Sequence, residues 1–182
     1  LLNRRVPARD AELATDVWLP DGPGPFPVLL TRTPYHRAGC AGAAQAYTDW
    51  GYAYVTQDCR GKYDSSGHFY PLVHEREDGA ATLDWIANQP WCSGRIGMVG
   101  LSYLGMVQIP AAASGHEALR CILPGVAPND MFTDWLRYDG CFSLANAIRW
   151  PLTHAVCPTK PSGAHFTWDA LWRQTSLDAV FE

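Results

Sequence analysis

Short apolar runs alternate with amphipathic or alanine-rich segments along most of the 182 residues. Runs without polar interruption are typical of strands buried on both faces, whereas spaced apolar positions with a glycine or proline stop predict helices. The predicted strands are 12–20, 27–35, 52–58, 95–101 and 119–128. The predicted helices are 41–50, 75–91 and 103–115, the last with Pro110 inside it, which should kink or end it. This alternation predicts an open, mainly parallel α/β sheet.

The pattern changes after Pro128, where the chain becomes aromatic-rich and helical with no strand-like run. We therefore expect residues 1–127 to form the N-terminal part of an α/β core and 128–182 to begin a helical cap. The chain starts at a leucine and stops at Glu182 without a turn or cap signal. We expect it to be part of a longer protein, cut before the core is complete.

Composition and charge limit the classes of function that the chain could have. The chain is 47% hydrophobic and 18% charged with a net charge of −4, and it has no basic cluster, which argues against a nucleic-acid partner. No apolar run approaches the roughly 20 residues that span a bilayer, so we expect no membrane partner. Six cysteines without a C-x-x-C pair argue against a zinc ribbon and favour scattered thiols in a reducing compartment. We expect a cytoplasmic protein, with a secreted or periplasmic one left open.

Ser102 is the first candidate for chemistry. It lies in "GLSYLG", between an apolar run and an alanine-rich run, as a nucleophile does on a strand-to-helix turn. The common elbow is G-x-S-x-G, but here Leu104 occupies the second glycine position and Gly105 follows one residue later. A serine that only caps a helix is the alternative, and the pattern alone leaves both open.

Two loops strengthen the catalytic interpretation. Tyr35 lies in "RTPYHR", the loop where an α/β hydrolase places its second oxyanion donor, although a tyrosine that packs at a strand end is the alternative. The loop "QDCRGKYDSSGHF" at 57–69 follows the next strand with an Arg-Gly turn, and its alternative is a charged surface loop.

Together these segments resemble the CocE/NonD hydrolase family, the group of cocaine esterase, α-amino acid ester hydrolases and X-Pro dipeptidyl-peptidases (S15 peptidases). The matching elements are R-T-P-Y, Q-D-x-R-G-x-x-x-S-x-G, L-D-W-I-x-x-Q-x-W-C-x-G-x-I-G-M and G-L-S-Y-L-G, in the family's order over roughly residues 12–135. The family's elbow is G-x-S-Y-x-G, so the late glycine is part of the resemblance.

The resemblance implies an α/β-hydrolase fold and a serine hydrolase that cleaves ester or amide bonds through an acyl-enzyme. It implies that Ser102 is the nucleophile and that the Tyr103 backbone N–H and the Tyr35 hydroxyl form the oxyanion hole. It implies no cofactor and no metal, and a small ester, amide or short peptide as substrate. A homo-oligomer is left open.

Substrate-binding residues follow from the same resemblance. Trp135 and Trp150 correspond approximately to tryptophans that line the acyl pocket of cocaine esterase, with aromatic core residues of a cap as the alternative. Asp134 precedes Trp135 as in α-amino acid ester hydrolases, where an aspartate of a carboxylate cluster binds the substrate ammonium group. For Asp134 a solvated cap aspartate is the favoured interpretation.

A serine nucleophile needs a base and an acid, which follow it in this fold. Ser102, Asp139 and His154 satisfy the order, but in the resembled family the acid and base follow later core strands. We therefore expect them beyond Glu182 and predict negligible esterase activity for the 182-residue chain. A non-catalytic α/β-hydrolase-fold binding module is the competing hypothesis. The absence of G-x-G-x-x-G and of H-E-x-x-H argues against a dinucleotide-binding domain and a metallohydrolase.

Overall fold

A computed structural model describes residues 1–138 and 141–154. Its centre is a six-stranded sheet in the order β1-β2-β4-β3-β5-β6. The strands are β1 Arg4–Ala8, β2 Ala11–Trp18, β3 Phe26–Thr33, β4 Ala53–Asp58, β5 Cys92–Leu101 and β6 Leu119–Gly125. Strands β4, β3, β5 and β6 run parallel, while β1 and β2 are antiparallel additions at one edge. The predicted mainly parallel sheet is confirmed.

Strand β1 was not predicted from the sequence. Its residues are mostly charged or exposed, and Pro7 lies inside it, which argues against a central strand. The strand pairs only with β2, and only Val6 and Ala8 are buried. An edge strand needs neither a full apolar face nor every N–H, so β1 leaves little signal in the sequence.

The helices lie where they were predicted, but their lengths differ from the predicted ones. A 3₁₀-helix, Arg37–Ala43, leads into α1, Ala44–Asp49, and α2 covers Glu75–Ala87. The segment after Ser102 divides into α3, Tyr103–Met106, and α4, Gln108–Ala112. Pro110 has no N–H to donate to the Met106 carbonyl, and the helix is interrupted at Val107, three residues before the proline. The expected break is present, although Pro110 itself lies inside α4. No helix in the described ranges has both the length and the apolar character needed to cross a membrane.

The core lies between the sheet and helices α2 to α4. Leu83 and Ile86 of α2 pack with Leu30, Val55 and Met98 of the strands. Tyr54, the neighbour of Val55, points to the opposite face and contacts Tyr47 of α1. Helices therefore cover both faces of the sheet.

Residues after Pro128 form short helical turns, as expected, and end in α5, Trp150–His154, within the described residues. The expectation of no strand was wrong in one detail, because Arg137–Tyr138 and Cys141–Phe142 form a small antiparallel pair. Two residues per strand are too few for a periodic pattern, although Asp139-Gly140 between them is a common hairpin-turn pair. The pair is separate from the main sheet. The proposed boundary at residue 128 stays a prediction.

Candidate active site

The parallel strands bring the candidate residues to one edge of the sheet. Thr33 pairs with Asp58 at the ends of β3 and β4, and Leu101 pairs with Gly125 at the ends of β5 and β6. The loops that follow β3, β4 and β5 therefore begin side by side. In open α/β sheets this carboxyl edge is where ligands bind.

Ser102 lies on a sharp turn between β5 and α3. Its backbone has φ 59° and ψ −128°, a conformation that costs energy for a residue other than glycine. The turn is held by a hydrogen bond from the Ser102 N–H to the Gly125 carbonyl (2.9 Å) and by bonds from the Gly105 and Met106 N–H groups to the Ser102 carbonyl (2.8 and 2.9 Å). Ser102 is thus placed, partly buried, at the carboxyl edge of the sheet, and the strand-to-helix turn is confirmed.

The displaced glycine has a steric reason. A Cβ on Gly105 would lie 2.8 Å from the Gly125 carbonyl oxygen and 3.2 Å from that of Gly100. Both atoms belong to the backbone of neighbouring strands and cannot move aside easily. The close approach of α3 to β6 therefore falls at residue 105 of this elbow.

Tyr35 lies two residues after the end of β3, with its backbone N–H bonded to the Thr33 hydroxyl (3.0 Å). The Trp150 indole N–H donates to the Tyr35 hydroxyl oxygen at 3.1 Å. Within the described residues the Tyr35 hydroxyl hydrogen has no acceptor. A phenol in this state can donate to a ligand.

Aromatic rings pack around the Tyr103 side chain, next to the elbow. Trp150 stacks on Tyr103 with ring centroids 5.3 Å apart and an angle of 9° between the planes. Trp135 meets Trp150 edge-on at 5.4 Å, and Phe69 lies 5.7 Å from Tyr103 on another side. Trp135, Trp150, Tyr35 and Phe69 are only partly buried against the core. The structure thus brings Trp135 and Trp150 together beside Tyr103, although both also contribute to packing.

The side chain of Tyr103 points away from solvent into a charged network. Its hydroxyl donates to Glu75 Oε1 (2.9 Å) and accepts from the Leu72 N–H (2.9 Å). Glu75 Oε2 lies 2.7 Å from Nη1 of Arg32, which is fully buried. The geometry of this contact does not give Oε2 a hydrogen bond, so the attraction between the two charges holds the pair together. Burial, followed by the charge of Glu75, raises the pKa of the Tyr103 phenol well above its usual value.

The loop after β4 is not simply the charged surface loop of the alternative interpretation, because Arg60 is buried although Asp64 is exposed. Arg60 donates to both carboxylate oxygens of Asp78 on α2 (3.0 and 2.5 Å). Gly61 follows with φ +68°, and a Cβ there would lie 2.3 Å from the Phe69 backbone nitrogen. The Arg-Gly pair thus ties the loop to α2 and folds it tightly. The Arg-Gly motif is visible in the sequence, but its bond to Asp78 and the neighbouring Arg32–Glu75 pair were not predicted.

Arg37 organises a second charged cluster next to the Tyr35 loop. Its guanidinium contacts Asp16 (3.0 Å), Asp58 (2.5 Å) and Asp64 (2.8 Å). His36, Asp58 and Asp64 offer donor atoms within 4.8 Å of one another, the one set in the described residues that could hold a metal ion. Arg37 already supplies positive charge to both carboxylates, so the cluster is explained as a structural support for the loop.

Asp134 is exposed, and its hydrogen bonds are local. It accepts from the Asp130 N–H (3.0 Å) and the Thr133 hydroxyl (3.1 Å). The first bond, followed by the second, lowers the pKa of its carboxyl. These are the contacts of a solvated aspartate at a helical turn, and a role in ammonium binding stays a prediction.

Within residues 1–138 and 141–154, no residue is hydrogen-bonded to the Ser102 hydroxyl. His154 instead packs against the rings of Tyr35 and Trp150 at 5.0 and 5.3 Å. Burial, followed by the nearby Lys62 ammonium, lowers the pKa of His154. Asp139 and His165 lie outside the described residues. The location of the acid and base stays a prediction.

Known proteins resemble this chain along most of its length. Residues 10–181 match the X-Pro dipeptidyl-peptidase (S15) family. Cocaine esterase of Rhodococcus sp. (strain MB1 Bresler) is 41% identical over 156 residues, which are 81% of this chain and 27% of that enzyme. The structure of an α-amino acid ester hydrolase superposes with a TM-score of 0.76 at 26% identity, over 97% of this chain and 39% of the other. A CocE/NonD family hydrolase of Staphylococcus aureus gives a TM-score of 0.77 at 22% identity, over 96% and 38%, and supports the fold. The chain thus spans about a quarter of the length of cocaine esterase.

Proposed function

Since the chain belongs to the X-Pro dipeptidyl-peptidase (S15) family, we propose that the whole protein is a serine hydrolase that cleaves ester or amide bonds through an acyl-enzyme. The observation that carries this proposal is the elbow, where Ser102 has φ 59° between a buried strand and α3. A helix-capping serine has no need of this conformation, because N-cap residues normally adopt extended backbone angles. The family match and the elbow both favour catalysis over a binding module.

In the proposed reaction the Ser102 oxygen bonds to the substrate carbonyl carbon, and its proton passes to a base. That proton then goes to the leaving alcohol or amine as the carbonyl bond to the leaving group breaks. Water next attacks the acyl-enzyme, which releases the acid and returns a proton to Ser102. We place the base and its orienting carboxylate in the whole protein, outside the described residues.

The oxyanion would be stabilised by two donors, the Tyr103 N–H and the Tyr35 hydroxyl. Tyr103 begins α3, where backbone N–H groups lack acceptors within the helix. The Tyr35 hydroxyl accepts from Trp150, and this bond leaves its hydrogen free to point at a ligand. One such donor is typically worth about 3–4 kcal/mol in the transition state.

For the substrate we propose an ester with an aromatic or other apolar acyl group. Trp135, Trp150 and Phe69 are partly exposed rings beside the elbow, and aromatic faces of this kind bind flat apolar groups. Cocaine esterase also shares 41% identity with most of the chain, whereas the Xaa-Pro dipeptidyl-peptidase of Lactobacillus helveticus shares 31% over 36% of it.

A fluorophosphonate probe on the whole protein tests the proposal. We expect one adduct, mapped by mass spectrometry to Ser102, and none in Ser102→Ala. Labelling at another residue, or no labelling of a folded protein, would contradict the assignment and favour the binding module.

Two substrates then separate the reaction classes. We expect the whole protein to hydrolyse p-nitrophenyl benzoate with a higher kcat/KM than an Xaa-Pro p-nitroanilide. The reverse preference would show that the protein is a dipeptidyl-peptidase and that the aromatic rings serve packing.

A further inference from the structure

Tyr103 carries two groups that point in different directions. Its backbone N–H lies next to Ser102 at the start of α3, where the proposed oxyanion would form. Its side chain is fully buried and enters the space between α2 and the loop after β4. The same residue therefore connects the elbow to an interior network that the chemistry itself does not use.

That network fixes the Tyr103 hydroxyl from two sides. The Leu72 N–H and the Glu75 carboxylate each lie 2.9 Å from the hydroxyl oxygen, one as donor and one as acceptor. Glu75 is the first residue of α2 and pairs with Arg32 on β3, whose Nε donates to Gln57 on β4 (2.8 Å). The hydroxyl is thus held by the loop, by α2 and indirectly by two central strands.

Helix α3 has only four residues, so few bonds of its own determine how its first N–H points. The face of the Tyr103 ring packs on Trp150, which in turn donates to Tyr35. An oxyanion donor is useful only within about 0.5 Å and 10–20° of its productive position. Small movements of this ring would therefore affect both proposed donors.

We propose that the Tyr103 side chain is a positioning residue, whose hydroxyl, fixed between Leu72 and Glu75, sets the direction of its own backbone N–H toward the oxyanion. This inference rests on the proposed function. Loss of the hydroxyl would leave the Leu72 N–H buried without its acceptor and would remove one hydrogen bond from the Glu75 carboxylate. The backbone would shift in response, because an unsatisfied buried polar group is costly.

Tyr103→Phe in the whole protein tests the inference, because it keeps the ring and its stacking on Trp150. We expect kcat for p-nitrophenyl benzoate to fall about 10- to 100-fold with KM within about twofold, which is the signature of an interaction made in the transition state. Phenylboronic acid bonds to the serine oxygen as a tetrahedral adduct that resembles the transition state. Its Kd should rise by a similar factor.

Tyr54→Phe is the matched control, since Tyr54 is also buried and bonds Thr31 through its hydroxyl (3.2 Å) on the other face of the sheet. We expect it to lower the melting temperature without changing kcat or the boronate Kd.

A second pair of variants separates the effect of the hydrogen bond from that of the charge. Glu75→Gln keeps an acceptor oxygen and should retain most of the kcat that Glu75→Ala loses.

The outcomes distinguish the two proposals. An inactive, unlabelled wild-type protein would overturn the proposed function. An active wild type whose Tyr103→Phe variant keeps its kcat and boronate Kd, or loses them no more than Tyr54→Phe does, would overturn the positioning role alone. If Tyr103→Phe does not fold, equal kcat in folded Glu75→Gln and Glu75→Ala would overturn it instead.

Discussion

The bond from Trp150 to Tyr35 is the contact on which the proposed role of Tyr35 as second oxyanion donor depends. The O–H bond of a phenol lies near the ring plane and can point to either side of the oxygen, but an indole N–H at 3.1 Å occupies one side. The hydrogen is then directed elsewhere before substrate arrives. Preorganisation of this kind costs nothing during the reaction, which is why fixed dipoles are effective in catalysis.

Trp150→Phe in the whole protein should therefore lower kcat more than it raises KM. The phenyl ring preserves an apolar face beside Tyr103, and the loss of one hydrogen bond is worth about 1 kcal/mol, or roughly fivefold in kcat. Steady-state kinetics with p-nitrophenyl benzoate measures this. In comparison, Trp135→Phe alters the pocket but leaves the hydrogen bond to Tyr35 intact, so it should change KM rather than kcat. Identical kinetic effects of the two variants would mean that both act through the pocket.

Position 105 requires glycine because its backbone lies close to carbonyl oxygens of two neighbouring strands. We expect Gly105→Ala to lower the free energy of unfolding by about 1–3 kcal/mol, because the added methyl meets two backbone carbonyl oxygens. Urea denaturation followed by circular dichroism measures it. Gly39→Ala is the control, since a methyl group added there would have nothing within 4 Å and its backbone is in a 3₁₀-helix. A Gly105→Ala protein as stable as Gly39→Ala would contradict the steric reason for the late glycine.

At the scale of elements, the buried charges between β3, β4 and α2 bind the layers together. Arg32 and Asp78 are almost completely buried, and Arg60 joins Asp78 from the following loop. Burial opposes the charge on Arg32, but Glu75 and Asp78, among its neighbours, outweigh it and raise the pKa of the guanidinium. Each charge is therefore tolerated only because its partners are present.

Arg32→Met should destabilise the protein by about 3–5 kcal/mol, because it leaves Glu75 buried and unpaired while it nearly preserves volume. The exposed pair Arg9–Glu77 (3.7 Å) is the reference, and Arg9→Met should change stability by less than about 1 kcal/mol. Thermal unfolding of both variants tests this. Equal effects would show that the buried ion pair contributes no more than a surface one.

These elements also show what the sequence could and could not predict. The buried strands β3, β4 and β5 were predictable because short apolar runs bounded by turn residues are typical of strands inside a parallel sheet. Strand β1 was not, since an edge strand with two buried side chains and a proline has almost no pattern. Ser102 and Tyr35 were proposed from motif and loop position, and their catalytic roles stay predictions. Their supports, Arg32 and Glu75, were missed because a charged residue in sequence normally indicates solvent exposure.

At the scale of the whole molecule, β6 ends the sheet in the described residues, and its surroundings are apolar. Leu101, Leu123 and Val126 are 65%, 68% and 82% exposed beside the elbow. Exposed apolar side chains that lie close together normally indicate an interaction surface. Ser102 lies on the neighbouring turn after β5, and no described residue is bonded to its hydroxyl. That the acid and base follow later core strands stays a prediction.

The 182-residue chain by itself should therefore show negligible hydrolysis of p-nitrophenyl benzoate, with a rate equal to that of its own Ser102→Ala variant. A serine hydroxyl without a base is a weak nucleophile, and two oxyanion donors cannot supply the missing proton transfer. Circular dichroism of the same sample would establish that the chain is folded. Turnover that depends on Ser102 would mean that the base lies within these residues. His154→Ala and His165→Ala would then identify it, and the expectation that acid and base follow later core strands would be wrong.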